Sequence, residues 1–134
     1  KGMFHAIEWI APEEITDDEY PFSLTTGRIL YHYHTGTMTM KTEGLNERAP
    51  ESFVEISLND ARNFGLQDGD MVRVASRRGE ITVRVQISSK AVDGTIFIPF
   101  HYARAAANRL TNAALDPISG IPEFKVCAVK LEAA

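Results

Sequence analysis

The chain has 134 residues, 44% of them hydrophobic and 24% charged, and a single cysteine, Cys127, which suits one globular domain with its own core and no internal disulfide. The net charge of −4 is uneven: residues 1–20 hold Glu8, Glu13, Glu14, Asp17, Asp18 and Glu19 against Lys1 alone, a net of −5, and residues 21–134 carry 13 basic and 12 acidic residues, a net of +1. No basic stripe points to nucleic acid, and no apolar run approaches the ~20 residues of a membrane span.

Lys1-Gly2-Met3-Phe4-His5 does not read as a signal peptide. With Lys1 in place of an initiator Met, an origin within a longer polypeptide is expected. Residues 1–20 combine Pro12 with a run of acids. They are expected to be a linker that packs locally through Phe4, Ile7, Trp9 and Ile10, with the domain proper at 21–134.

Phe22 and Leu24 alternate with Ser23 and Thr25 and predict a first strand. After Thr26-Gly27-Arg28 comes Ile29 to Thr37, rich in aromatic and hydrogen-bonding residues and too polar for an ordinary core strand. Residues 38–50 read as a loop, with Gly44, Asn46 and Pro50. Phe53, Val54 and Ile56 predict a second strand. Ser57, with Asp60 three residues on, then predicts a cap for a helix from Leu58 to Phe64 that ends at Gly65.

Asp68-Gly69-Asp70 is a turn before a third strand, Met71–Val74. Beyond the turn at Ser76–Gly79, Ile81, Val83, Val85 and Ile87 alternate with Thr82, Arg84 and Gln86, which predicts a half-buried strand. Thr95–Pro99 forms another, and 102–110 predicts a second helix. Asp116-Pro117 and Ile121-Pro122 bracket a loop. Val126–Leu131 closes the chain as a strand with Cys127, Val129 and Leu131 inward. Short strands with brief helices indicate a mainly β domain, a barrel or a sandwich. One cysteine fits a reducing compartment, so a cytoplasmic setting is expected.

Dinucleotide, phosphate-loop and nucleophile-elbow motifs are absent, as is any Cys-x-x-Cys. The chemically dense segment is Thr26 to Thr35: hydroxyls, an arginine fork, two histidines, two tyrosines and nearby Gly27 and Gly36. Such a set suits an anionic, hydrogen-bond-rich ligand. Alternatives remain open. His-x-His is often two ordinary surface or packed side chains. His32 and His34 on one strand face, with His101 and Cys127, would be a zinc site, although no spacing supports it. Pro99-Phe100-His101-Tyr102 and Asn108-Arg109-Leu110-Thr111 form a second polar segment that reads equally well as a solvated helix end. Lys125 reads as a strand-edge lysine.

Taken in order, these residues resemble a known family. Leu24-Thr25-Thr26-Gly27-Arg28-Ile29-Leu30-Tyr31-His32-Tyr33-His34-Thr35-Gly36-Thr37-Met38-Thr39 looks like the signature of the molybdopterin dinucleotide-binding domain that closes catalytic subunits of the dimethyl sulfoxide reductase superfamily. The likeness continues through Asn59-Asp60-Ala61, Asp68-Gly69-Asp70, Ser76-Arg77-Arg78-Gly79-Glu80, Ile98-Pro99-Phe100-His101, Asn108-Arg109-Leu110-Thr111, Asp116-Pro117 and Lys125 to Lys130. Tyr31-His32-Tyr33-His34 and the lead-in Phe4 to Trp9 look more like formate dehydrogenases than nitrate reductases.

The resemblance implies a six-stranded double-psi β-barrel. It also implies a bis(molybdopterin guanine dinucleotide) cofactor carrying molybdenum or tungsten, lying along Thr26, Gly27, Arg28, Ile29, Leu30, Tyr31, His32, Tyr33, His34 and Thr35, with Asn108 and Lys125 as further contacts. Phe100 matches a position near the substrate funnel. The metal-ligating residue, the catalytic groups and a 4Fe-4S cluster are expected elsewhere in the subunit. No catalytic or metal-binding residue is expected in this chain, and the domains preceding it and electron-transfer subunits or domains are its implied partners. A stand-alone double-psi barrel that binds a partner protein is the competing expectation.

Overall fold

The computed structural model describes residues 2–134. Lys1, on which the expectation of a longer polypeptide rests, lies outside them. Six strands form a closed barrel in the order β1-β5-β2-β4-β3-β6. They are β1 (Phe22–Gly27), β2 (Phe53–Ser57), β3 (Met71–Ala75), β4 (Glu80–Ser88), β5 (Thr95–Pro99) and β6 (Cys127–Ala133). Closure leaves no free sheet edge.

Two parallel pairings set the topology. β1 lies along β5, with Gly27 opposite Pro99, and β2 lies along β4, with Phe53 opposite Arg84. The remaining neighbours are antiparallel, including β1 with β6, where Leu24 faces Cys127. This is a double-psi barrel, the architecture that the resemblance implied.

Period-two alternation dictates the core. Along β4, Ile81, Val83 and Val85 are buried while Thr82, Arg84 and Gln86 are exposed. Leu24, Val54, Ile56, Val72, Val74, Ile96, Ile98 and Val129 are wholly buried with them. The helix after β2, Leu58–Asn63, starts at Ser57, whose hydroxyl accepts the Asp60 amide at 3.0 Å and donates to the Asp60 carboxylate at 3.0 Å. Capping therefore works as the sequence indicated, and Asp60 also receives the Gly94 amide at 2.7 Å.

Three expectations need correction. Residues 38–50 are not a loop throughout: a 3-10 turn, Thr39–Lys41, leads into α1 (Glu43–Arg48), and the capped helix Leu58–Asn63 is α2. Neither short helix before Pro50 buries a residue, so no apolar stripe advertised them. Residues 102–110 form two 3-10 turns, Ala103–Ala105 and Ala107–Arg109, rather than a helix. Their alanines favour helix locally, but Ala105, Ala107 and Leu110 are drawn into the core at separate points.

The third correction concerns the lead-in. Phe4, Ile7, Trp9 and Ile10 do not pack locally; each is more than 80% exposed. The segment is tied down by its acids instead. Glu14 receives Arg77 at 2.6 Å, Arg78 at 2.6 Å and the Ala128 amide at 3.1 Å, and Asp17 also pairs with Arg77. Burial pushes the Glu14 carboxyl upward, but the hydrogen bonds from Arg78, Ala128 and Arg77 outweigh it and hold it below the usual carboxylate range. Among the described residues no helix is long and apolar enough to cross a membrane.

Candidate functional site

Register brings the singled-out segments to one end of the barrel. β1 and β5 run parallel and end together at Gly27 and Pro99. β6, antiparallel to β1, begins at that same end just after Lys125. Arg28 and the residues after it, the segment that begins at Phe100, and Lys125 therefore start from that end.

The end of β1 is latched from two sides. Buried Thr26 donates its hydroxyl to the Phe124 carbonyl at 2.8 Å, and the Lys125 ammonium donates to the Thr26 carbonyl at 2.7 Å. Gly27 is required by close approach: a Cβ there would stand 2.8 Å from the Phe97 ring. The Phe100 amide donates to the Gly27 carbonyl at 3.2 Å, and the Phe100 ring, half-buried, packs on the core beside His101.

From Arg28 the chain leaves the sheet. It is a succession of turns, not a strand, so His32 and His34 do not share a strand face. His32 is buried and its two ring nitrogens are occupied: Nε2 donates to the Ala49 carbonyl at 2.8 Å and Nδ1 meets the Thr39 hydroxyl at 3.1 Å. The Tyr102 hydroxyl donates to the same Ala49 carbonyl at 2.8 Å. His32 thus closes the loop from Ile29 to Ala49 on itself. His34 is exposed, at φ 48°, a left-handed conformation uncommon for a residue with a side chain. Its ring lies edge-on to Tyr33, with centroids 4.3 Å apart. Gly36, at φ 72°, makes the next turn against Met40.

The groups left for a ligand lie on the outer side. Arg28, Leu30, Tyr33, His34 and Thr35 are exposed, and Ile29 and Tyr31 are half-buried. Among the described residues the Arg28 guanidinium and the Asn108 side-chain amide make no hydrogen bond or ion pair. Lys125 is exposed, and among the described residues its ammonium bonds only to the Thr26 carbonyl. Arg28, Lys125 and Asn108 thus offer two cations and an amide for charge-assisted and neutral hydrogen bonds to an anion. A shallow cleft of about 450 Å³ continues from Ile29, Leu30 and Tyr31 toward Arg48 and Arg84.

His101 and Tyr102 belong to the site, although in the sequence they stand only as part of a second polar segment, with His101 also as a possible zinc ligand. The His101 Nδ1–H donates to the His34 carbonyl, and Nε2 accepts the Ile29 amide at 3.1 Å. Burial pushes the His101 imidazole below its ordinary range, against the raising effect of the His34 carbonyl, and His32 and Arg28 lower it further. The advance signals were a polar ring directly after the apolar run that ends at Pro99 and the place of His101 in the Ile98-Pro99-Phe100-His101 stretch of the resemblance. No group of three or more His, Cys, Asp or Glu among the described residues is arranged to hold a metal ion. Cys127 lies buried in β6, and burial pushes its thiol up to about 11, as for a core residue.

The family model described as the molydopterin dinucleotide binding domain matches residues 22–128. The alpha subunit of an F420-dependent formate dehydrogenase from Methanocaldococcus jannaschii is 48% identical over 132 residues, 98% of this chain and 20% of that protein. A nitrate reductase from Symbiobacterium thermophilum is 42% identical over 138 residues, 100% of this chain and 18% of that protein. Among solved structures, acetylene hydratase from Pelobacter acetylenicus superposes with a TM-score of 0.80 at 16% identity, over 93% of this chain and 21% of that one. That likeness concerns the fold alone. The chain spans about a fifth of the length of the curated relatives it matches.

Proposed function

Because the chain belongs to the molydopterin dinucleotide binding domain family, we propose that it is the C-terminal cofactor-binding domain of a formate dehydrogenase catalytic subunit and binds bis(molybdopterin guanine dinucleotide) carrying molybdenum or tungsten. Residues 1–20 then join a preceding domain of the subunit to the barrel at 21–134. The observation that carries the reading is that Arg28 and Lys125 meet at the end of β1, neither paired with a carboxylate among the described residues, beside a loop whose backbone is fixed from beneath. A dinucleotide with several phosphates calls for such a donor set.

Within the binding segment the residues divide the work. Arg28 and Lys125 would hold phosphate groups, Asn108, Tyr33, His34 and Thr35 would supply hydrogen bonds, and Ile29, Leu30 and Tyr31 would supply apolar contact. Thr26, Gly27 and His32 hold the segment in shape, and Phe100, by the resemblance, would stand near the substrate funnel of the whole subunit. When bound, the cofactor supplies the redox chemistry that removes two electrons from formate and releases carbon dioxide. The chain's own contribution is orientation, charge neutralisation and exclusion of water. A 4Fe-4S cluster, the residue that ligates the metal and the groups that orient formate belong to the rest of the subunit, with electron-transfer subunits or domains as partners, in the cytoplasm.

Formate is preferred to nitrate because the formate dehydrogenase relative is 48% identical to this chain and the nitrate reductase 42%. The test is to express the whole reading frame that contains this chain and to measure metal, pterin and iron content with formate and nitrate turnover. Formate oxidation, with bound pterin lost in an Arg28→Ala variant, upholds the reading. Nitrate reduction moves it to the other subfamily. A frame with neither pterin nor metal overturns it in favour of a partner-binding barrel.

A further inference from the structure

Between Arg28 and His34 the backbone turns without a strand or helix to hold it, yet it must present its donors in a fixed order. Local sequence does not supply that order, since His34 sits in a left-handed conformation uncommon for a residue with a side chain. His32 closes the loop from within, and a second hold comes from a side chain outside it. His101 reaches both limbs of the turn, accepting from the Ile29 amide through Nε2 and donating to the His34 carbonyl through Nδ1. It sits directly after β5, the strand that pairs with β1, so its own position is set by the barrel.

We infer that His101 is a positioning residue which sets the curvature of the Arg28–His34 segment for cofactor phosphates, and that it does so only as the neutral Nδ1–H tautomer. The inference rests on the proposed function for what the segment binds, but the clamp itself is a property of this chain. Only that tautomer offers one acceptor and one donor in the required places; an imidazolium has two donors and cannot accept the Ile29 amide. The charged and titratable groups that face the ring are His32 and Arg28 from the loop, Tyr102 from its own segment and the His34 carbonyl. The buried site, the Arg28 guanidinium and the neighbouring His32 ring disfavour imidazolium, which keeps the clamp closed near neutral pH. Acid opens it by protonating Nε2, and the Ile29 amide is then left without its acceptor.

The experiment uses the full chain and its His101→Leu and His101→Gln variants. Glutamine can both accept and donate, and leucine can do neither. The first readout is protection of the Ile29 amide from hydrogen exchange in the unliganded chain. The second is binding of diguanosine pyrophosphate, a pyrophosphate diester with no titrating phosphate near neutral pH, followed by chemical-shift change across a pH series. His101→Leu should lose about tenfold in Ile29 protection and in affinity near neutral pH, the size of one unsatisfied amide, and the difference from the parent chain should close in acid. His101→Gln should restore both and abolish the loss of binding that the parent chain shows as pH falls through the lowered His101 range. Unchanged Ile29 protection in His101→Leu, or an acid step that persists in His101→Gln, overturns the inference. If no variant binds the probe, the proposed function loses support, and the amide protection alone decides whether His101 is the clamp.

Discussion

The barrel and the Arg28–Ala49 loop are held together by opposite means. Inside the barrel, Leu24, Val54, Val74, Ile98 and their neighbours are wholly buried, and stability spreads over many non-directional contacts. In the loop the buried groups are polar: His32, His101 and the Tyr102 hydroxyl, which converge on the carbonyls of Ala49 and His34 and the Ile29 amide. α1 and the adjoining 3-10 turn bury nothing. An apolar core tolerates compensation by its neighbours, whereas a clamp made of a few directional bonds fails one bond at a time. A ligand-binding segment built in this way can be precise without contributing much to global stability.

The strongest test of the contrast is a cavity in the barrel. Leu24→Ala removes a wholly buried side chain from β1, and a loss of about 3 kcal/mol in denaturant unfolding is expected. Cys127, opposite Leu24 and raised to about 11 by burial, serves as the second readout. Thiol labelling at neutral pH should quicken roughly in proportion to the unfolded population. His32→Leu should behave differently. It costs the loop about 2 kcal/mol, because the Ala49 carbonyl and the Thr39 hydroxyl each lose a partner. Amide exchange should rise across 29–49 while Cys127 labelling barely changes. If His32→Leu accelerates labelling as much as Leu24→Ala does, loop and barrel are one cooperative unit and the contrast fails.

A smaller effect is expected at Gly36. A Cβ there faces a left-handed φ of 72° and the Met40 sulfur at 2.8 Å. Met40 can swing away, so the backbone term decides, and Gly36→Ala should cost about 1–2 kcal/mol. Thermal unfolding measures it, and loop-confined exchange distinguishes it from a barrel defect.

The same division explains what the sequence disclosed. Ile81, Val83 and Val85 announce a strand because alternation is a two-residue property that a reader can count. Ser57 with Asp60 announces a helix start because capping is local. Strand order was not countable: the pairing of β1 with β5 joins residues more than 70 positions apart, and the resemblance supplied it. The candidate site was legible as composition, since Thr26 to Thr35 stood out by its donors. Which of those donors face inward was not. His32 and His34 look alike in sequence, yet the first is buried between Thr39 and Ala49 and the second is exposed. His101 carried no periodic signal because its partners are backbone atoms 67 and 72 residues away. The lead-in misled for a related reason. Its apolar residues suggested local packing, but the contacts that hold it are ionic and reach Arg77 and Arg78.

The lead-in also provides the finest test, because its attachment is neither core nor clamp. Glu14 is 12% exposed at its side chain and is shared by Arg77, Arg78 and the Ala128 amide. Glu14→Gln removes the charge but leaves Arg77 with Asp17 and Arg78 with the Leu110 carbonyl. The loss near neutral pH should therefore be about 1 kcal/mol or less. Its pH dependence has a definite sign. The folded carboxyl is held below its ordinary value, so the folded state binds fewer protons than the unfolded state in that interval and stability rises with pH there. The contribution is complete above the ordinary carboxylate range and is lost as pH falls through the lowered one. Stability curves of the parent chain and Glu14→Gln should thus lie apart at neutral pH and converge in acid, with faster exchange of the Ala128 amide only in the variant. Curves that stay parallel down to acid would mean that Glu14 acts through packing rather than charge, and the lead-in would then resemble the barrel more than the loop.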